Sequence, residues 1–537
     1  MEDTNLPVDL LHWGVAVLPL VLLLIMLVVL KWSGPRSGWI AMGIATAIAF
    51  LVYQAPIDNV AVGFGKGLWE AFFILLVVWP ALLLYQVTKE AGAFDVIREG
   101  IQDKSQNYLF LVLAFGWVFA SFLQGIAGFG APIAIVAPLL IGIGVKPVTA
   151  VVIPLIGHAW ANMFGTLAVG WIATVNAVEI QEQALTILYT SILLWIPNLL
   201  AGLMICYLFA KWKGIKEGFV VVIIISLIHG GGQLALAQLN PTLSTFIPAT
   251  IAMGVLLLFA KRKKYSEKSP SEEDTDILEE KEKDNGKKPD ISMHKALMPY
   301  YVLTIVSVIA LGIPQINNML DQLEFGPPFP ATETGYGFEE EAEEAYSPIA
   351  PLTHPGLYLL LASAFGVFWY KRLELYSSDT LKSVWKGVKG NAVGASLAIS
   401  GFLTMTEIMG SSGQTTVLAL GIAMVSNPPV YVALANVIGI TGAFMTSSNT
   451  SSNVLFAPLH GNVAQSMDGL NLAQTIAAQS TGGAIGNSIA PANVVLGTST
   501  AGIQGRDAEV FKPAIVFCLI AGVAVSATAV LLHFIGG

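Results

Sequence analysis

The chain has 537 residues, 55% of them hydrophobic and only 12% charged, with a mean hydropathy of +0.69. Soluble domains carry roughly a quarter charged residues, so this composition excludes a cytosolic enzyme, and so much apolar material also excludes disorder. The net charge of −9 argues against a nucleic-acid partner, and Cys206 and Cys518, isolated in apolar runs, offer neither a disulfide framework nor a metal-ligand spacing.

An all-α polytopic membrane protein is therefore expected, with the lipid bilayer as its surroundings and no metal or cofactor. A hydrocarbon core of about 30 Å needs about 20 apolar residues per helix. Such windows fall near 11–31, 38–55, 68–88, 107–123, 148–175, 184–210, 218–237, 243–260, 296–316, 355–370, 389–409, 412–426, 430–446 and 513–535. This predicts about 12–14 transmembrane helices. Segments 124–144 and 447–505 stay outside the count because Gly, Pro, Ser and Asn interrupt them. The short acidic start of the chain lacks the basic region of a cleaved signal peptide, so the first span is expected to be retained.

Charge divides the chain. Residues 1–260 form a first transmembrane half, and 261–295 form a loop with ten Lys/Arg and ten Asp/Glu. Residues 296–537 form a second half, interrupted at 318–354 by a loop with eight acids and no base. That loop alone supplies nearly all of the net charge. Basic residues favour the cytoplasmic side. Lys31, Arg36, Lys89, Arg98, Lys104, Lys211, Lys213, Lys216, the run 261–264, Lys371, Arg372, Lys382, Lys386, Lys389, Arg506 and Lys512 mark one side. The expected topology places the 261–295 loop in the cytoplasm and the N-terminus and 318–354 outside the cell membrane. Lys104 and Lys146 both lie inside, which pairs span 107–123 with the interrupted segment after it.

Two segments are unusual for membrane depth. Ser121-Phe-Leu-Gln-Gly-Ile-Ala-Gly-Phe-Gly130 runs into Ala-Pro, and Thr446-Ser-Ser-Asn-Thr-Ser-Ser-Asn453 places eight small polar residues in a row. Irregular backbone is tolerated there only where protein buries it or water reaches it. Its helix ends offer N–H groups to anions and carbonyls to cations. Broken or re-entrant hairpins are expected near 121–144 and 441–467. The two align: Ile135-Val-Ala-Pro-Leu-Leu140 matches Leu455-Phe-Ala-Pro-Leu-His460, and Gly157-His-Ala-Trp-Ala-Asn162 matches Gly482-Gly-Ala-Ile-Gly-Asn487. Two inverted repeats are therefore expected, with a substrate held between the breaks near the midplane.

Other polar residues have bland readings beside functional ones. A lone buried His158 fits a backbone hydrogen bond as well as a ligand, and His229 beside Gly230-Gly-Gly232 reads as a packed turn. Gly390/Gly394 reads as a close helix contact, and Glu70 as an interfacial residue. Glu407, an acid inside a span, carries a default functional reading. A channel would need a filter motif, and none is visible. An intramembrane enzyme would need a site such as His-Glu-x-x-His, and the glycines at 125, 128 and 130 follow no strand. A secondary transporter is the leading reading, with a channel and an intramembrane enzyme as the alternatives.

At these residues the sequence resembles the lactate permease family of L-lactate and glycolate transporters. The likeness is carried by Phe122–Ile135, by Ser448-Asn-Thr-Ser-Ser-Asn453 with the Leu-Phe-Ala after Val454, and by Ser480-Thr-Gly-Gly-Ala-Ile-Gly-Asn-Ser-Ile-Ala-Pro491. Ser412-Gly413 and Thr415-Thr416 add a shorter match. The resemblance implies symport of a 2-hydroxy monocarboxylate with a cation, typically a proton. Substrate contacts are expected from Gln124, Gly125, Gly128, Gly130, His158, Asn162, Ser448, Asn449, Thr450, Ser452, Asn453, Thr481 and Asn487, and ion coupling from Glu407, Asn449 and Asn487. Three amides depart from the family pattern: Gln124 and Asn449 stand where acids are usual, and Asn487 where a lysine is. An amide does not titrate, so either Glu407 or His158 carries a proton, or the coupling ion is sodium and the substrate another small anion such as a dicarboxylate or sulfonate. A homodimer is compatible with this reading, although the sequence does not set the oligomeric state.

Overall fold

The computed structural model describes residues 6–30, 32–93, 96, 105–128, 130–279, 290–424 and 426–536. Lys31, Arg98, Lys104, Phe129 and residues 280–289, which entered the sequence reading, lie outside them. The protein is an all-α polytopic membrane protein. Among the described residues, regular strand occurs only in the acidic segment, where β1 (Thr332–Glu333) pairs antiparallel with β2 (Glu339–Glu340).

The first helices show how the bundle begins. Asp9 caps α1 (Leu10–Leu24) by accepting from the Leu11 and His12 amides, which answers orphan donors at the helix start. The chain reverses into α2 (Gly34–Leu51) and again into α3 (Ile57–Glu90). Windows 38–55 and 68–88 thus sit inside longer or shifted helices. Glu70 lies well within α3 rather than at a helix start.

After α3 the first hairpin begins. Its inbound arm is α4 (Tyr108–Leu113), a π-helical stretch (Ala114–Phe119) and α5 (Ala120–Ala127), and its return arm is α6 (Ala131–Gly142). The turn uses Gly130 at φ 85°, a left-handed geometry that glycine adopts without steric cost. Both feet stand on the charged segment: Gln106 N donates to Ser266 O at 2.9 Å, and Lys146 N donates to Ile277 O at 2.7 Å. Window 107–123 is therefore the inbound arm of a helical hairpin.

Next come α7 (Pro147–Gly157) and α8 (Gly165–Ala177), separated by a 3-10 turn at Ala159–Ala161. The single span expected at 148–175 is thus broken in the middle. The following helix, α9 (Gln183–Ser226), has non-helical dihedrals at Ala210 and Lys211, which divide windows 184–210 and 218–237. A π-turn (Leu227–Gly231) leads to α10 (Gly232–Ala237), then α11 (Phe246–Ala260). His229 belongs to that π-turn. Its ring stacks on Trp160 with centroids 4.9 Å apart, and its Nδ1 accepts from Asn198 at 3.2 Å.

In the second half, α12 (Met298–Gly312) leads to the acidic loop and α13 (Pro355–Arg372) returns from it. The long α14 (Thr380–Ser411) then lies against α3. The two backbones touch at Gly67, where a methyl would collide with Thr404 Cα, and at Gly63, where it would stand 2.9 Å from the Glu407 carbonyl. Added methyls at Gly390 and Gly394 would meet nothing within 4 Å. The small-residue contact predicted at those two glycines therefore belongs to Gly63 and Gly67. Window 412–426 contains only the short α15 (Gln414–Met424).

A second hairpin follows: α16 (Pro428–Thr446) goes in and α17 (Asn449–Ser466) comes back. Its turn places Ser447 at φ 56°. This left-handed conformation costs a non-glycine residue about 1–2 kcal/mol. Ser447 is held there because its Oγ accepts from Ala492 N and its carbonyl accepts from Asn487 Nδ2, both at 3.3 Å. Then α18 (Leu472–Gly486), a 3-10 turn (Asn487–Ile489) and α19 (Pro491–Thr500) form a second broken helix, and α20 (Asp507–Gly536) completes the described chain. The 447–505 region excluded from the count is thus helical apart from these breaks and short connections.

The contacts fix which way each hairpin points. Asp507 at the start of α20 accepts from Gly34 N at the start of α2, and Leu532 near the far end accepts from Gln474 at the start of α18. Asn436 and Ser526 bond across α16 and α20 in antiparallel sense. The feet of the second hairpin therefore lie at the end where Tyr53, His12 and the acidic loop meet, opposite the end that anchors the first. Two hairpins enter from opposite ends.

By length and composition, five helices among the described residues could cross a membrane, and four shorter apolar ones accompany them.

Candidate functional site

Neither the hairpins nor the broken helices (residues 120–142, 147–177, 428–466 and 472–500) contain Asp, Glu, Lys or Arg. Their polar groups are amides, hydroxyls and helix ends, and the breaks meet in one ring. The tip of the first hairpin joins the start of α8, where Gly128 N donates to Thr166 Oγ1 at 3.1 Å. The α7–α8 break joins α17 and α18: Asn453 Nδ2 lies 3.3 Å from Met163 Sδ, and Asn162 Nδ2 donates to Ala484 O at 3.3 Å. The tip of the second hairpin joins α19 through Ser447, as above. The first turn of α19 closes the ring, because Leu496 and Asn493 border Gly130.

Four helix N-termini, those of α6, α8, α17 and α19, therefore end in the same region. No side-chain cap occupies the starts of α6, α8 and α19. Each such end carries a partial positive charge that stabilises an anion by about 0.3–1 kcal/mol, and more where water is scarce. Backbone strain gathers here too, with Thr166 (φ 48°) and Ala168 (φ 64°) joining Ser447 in the left-handed region.

The predicted residues divide into those that border accessible space and those that do not. Gln124, Asn162 and Asn487 keep 4%, 9% and 8% of their surface, as does Asn493 with 8%, whereas Ser452, Asn453 and Thr481 keep none. Asn487 is oriented by Asn493, whose Nδ2 donates to its Oδ1 at 2.8 Å. Gln124 lies against Gly128 and Gly165, neither of which has room for a side chain. Gly125 packs on Phe246. Ser448 and Thr450 sit at the second tip, where the Ser448 carbonyl accepts from Thr446 Oγ1 at 2.9 Å. Thr481 bonds back to Ala477 O at 2.8 Å, within its own helix. His158 Nδ1 donates to Pro154 O at 2.5 Å, the backbone arrangement weighed from sequence.

A relay braces the second hairpin from behind. Tyr431 donates to His460, His460 donates to Gln479, and Gln479 donates to Ser452, at 3.0, 3.0 and 3.1 Å. Sequence reasoning missed Ser447, Thr166, Met163 and Asn493. Asn493 stands two positions beyond the recognised motif ending at Pro491, so a longer reading of that motif would have caught it. Thr166 and Met163 join the ring through tertiary contact alone.

The Glu407 carboxyl turns to the acidic loop, although its neighbour Thr406 donates to Met445 O, next to the second tip, at 2.9 Å. Glu407 sits on α14 beneath the acidic loop, where its carboxyl meets the Tyr346 hydroxyl and faces Glu70, Glu340 and Lys66. Lys66, 1% exposed, binds Glu340 at 2.5 Å and Glu343 at 2.7 Å, with the Tyr346 ring 4.7 Å away. Ser347 Oγ donates to Glu70. Burial, then the carboxylates of Glu407 and Glu70, hold the Tyr346 phenol well above the ordinary tyrosine range, so it remains a donor at every physiological pH. This lysine stood in the apolar Gly65-Lys-Gly67 run without being read as a partner for the loop.

A membrane bundle with helix breaks gathered at mid-depth, entered from both ends, has the build of a transport protein. The family model described as L-lactate permease matches residues 13–536. The chain belongs to that family, which places it among permeases and not among enzymes. It is 28% identical to the L-lactate permease of Halalkalibacterium halodurans, over 93% of this chain and 92% of that one. With the L-lactate permease of Escherichia coli it shares 26% over 95% and 94%. The glycolate permease GlcA of the same species shares 27% over 95% and 94%.

Proposed function

We propose that the protein is a secondary active transporter of the cell membrane that imports a small 2-hydroxy monocarboxylate, of the lactate or glycolate class, in symport with a cation. Alternating access takes place around the ring of helix breaks, and the two hairpin-bearing halves act as inverted repeats. The carrying observation is that ring, which is uncharged and meets four helix N-termini. A carboxylate and a neighbouring hydroxyl are recognised there by helix-end N–H groups and by the amides of Gln124, Asn162 and Asn487. The names of the permease relatives support this substrate class over dicarboxylates and sulfonates. The distribution of Lys and Arg supports a cytoplasmic 261–295 loop and an outer acidic loop.

In liposomes the protein accumulates radiolabelled L-lactate or glycolate only under an imposed proton or sodium gradient. Uptake indifferent to both gradients refutes symport. A hydrogen bond to a charged group contributes about 1.5–3 kcal/mol, so Asn487→Ala lowers uptake by about tenfold or more, beyond the fall in melting temperature that freeing the Ser447 carbonyl and the Asn493 amide brings. Near-normal uptake by that variant removes Asn487 from the site.

A further inference from the structure

Three side-chain oxygens behind the tip of the second hairpin have no hydrogen-bond partner in the protein: Asn449 Oδ1, Asn453 Oδ1 and Ser480 Oγ. Their residues are 3%, 0% and 0% exposed. A buried unsatisfied acceptor costs about 1–3 kcal/mol, so three in one place call for an occupant that accepts nothing and attracts oxygen.

The packing brings them together. Asn449 and Asn453 are one turn apart on α17, which runs antiparallel to α18. Both turn Nδ2 toward Met163 Sδ, at 4.0 and 3.3 Å, which leaves their oxygens directed away from it. Asn449 Oδ1 occupies the space where Gly483 on α18 would carry a side chain. Ser480 lies one turn before Gly483 on the same helix. Gln479 Nε2 donates to Ser452 O at 3.3 Å, which sets the 452–453 level against the 479–480 level. Gly483 and Ser480 lie in the last turns of α18, whose C-terminal end carries partial negative charge.

We propose that Asn449 Oδ1, Asn453 Oδ1 and Ser480 Oγ form a binding site for a dehydrated monovalent cation, sodium. All three ligands are hard oxygens, which suit an alkali or alkaline-earth ion. The absence of any carboxylate in α16–α19 limits the charge that can be compensated to one. Amides and a hydroxyl do not titrate, so this group does not bind a proton. The sodium sits behind the second tip while the anion sits before it, and its binding stiffens the hairpin that closes on the anion. This inference rests on the transport reading for its role as the coupling ion, but the site itself is testable without a substrate.

The test is a thermal-shift titration of the purified full chain with NaCl, without organic anion, against KCl and choline chloride at equal ionic strength. Sodium is expected to raise the melting temperature saturably while choline and potassium do not. Ser480→Ala, which removes one hydroxyl and little volume, shifts the sodium midpoint by about tenfold to higher concentration. Asn453→Asp, which adds a charged ligand, shifts it lower. Equal effects of the three salts, or a midpoint unmoved by both substitutions, overturn the site. If lactate uptake proceeds but ignores sodium, the site fails and the transport reading stands. If sodium binds and no hydroxy acid is carried, the substrate reading fails and the site stands.

Discussion

Gly483 illustrates how little freedom single positions have at the centre of this protein. A methyl there would collide with Asn449 Oδ1, and neither α17 nor α18 has space to retreat, because α18 also meets α16 backbone to backbone at Gly482 and Gly486. Overpacking of this kind costs about 1–3 kcal/mol, so Gly483→Ala lowers the melting temperature by several degrees and reduces uptake more strongly still. A variant that melts and transports like wild type places the two helices further apart than described. The same logic separates the amides by role. Asn487 and Asn493 keep some exposure and hold each other, whereas Asn453 is sealed and its Oδ1 has no hydrogen-bond partner. Sequence marked Asn449, Asn453 and Asn487 alike as site residues; burial sets them at 3%, 0% and 8% exposure.

Among the elements, the acidic loop is the one whose role changed most. From sequence it is an outer loop with eight acids and no base. In the structure it folds back on the bundle: Phe325 bridges Ile349, Phe329 bridges Glu343, and Gly335 N donates to Gln54 O at 3.0 Å. Its anchor is Lys66, whose side chain is 2% exposed while Glu340 and Glu343 are 23% and 41% exposed. The burial is unequal, and so is the expected cost of breaking the contact. Lys66→Met leaves two carboxylates that water can reach, so the loop loosens and limited proteolysis within 318–354 speeds up, with a modest loss of stability. The double variant Glu340→Gln with Glu343→Gln strips the buried ammonium of both ion-pair partners and leaves it only the more remote Glu407 carboxyl; breaking a buried pair costs up to about 3–5 kcal/mol, so the melting temperature falls more. The reverse ranking refutes the buried lysine as the anchor.

On the scale of the whole molecule, charge lies at the two ends and the middle is neutral. The charged 261–279 stretch carries the feet of the first hairpin, and the acidic loop lies at the end where the second hairpin begins. A pair of cysteine probes tests this polarity. The native Cys206 and Cys518 are free and buried, so background labelling is low. Glu341→Cys in the acidic loop is expected to react with a membrane-impermeant maleimide in intact cells, and Lys268→Cys only in inverted vesicles. Labelling of both from one side shows that the two loops share a face and removes the opposed arrangement of the hairpins.

Much of this was legible in the sequence. Apolar length set the helical membrane class, because hydrocarbon admits only segments that satisfy their own backbone. Gly128, Gly130 and the polar run 446–453 located both hairpin breaks, since a left-handed turn favours glycine and a row of hydroxyls and amides needs partners away from lipid. What tertiary structure alone decided was which breaks meet. The interruption at 158–164, the enlistment of Thr166 and Met163, and the turning of the Glu407 carboxyl toward the acidic loop follow from how helices remote in sequence pack. Hydropathy, which measures only transfer from water to lipid, is blind to whether a polar residue inside the bundle faces a neighbouring helix, a loop folded back from the surface, or the accessible space at its centre.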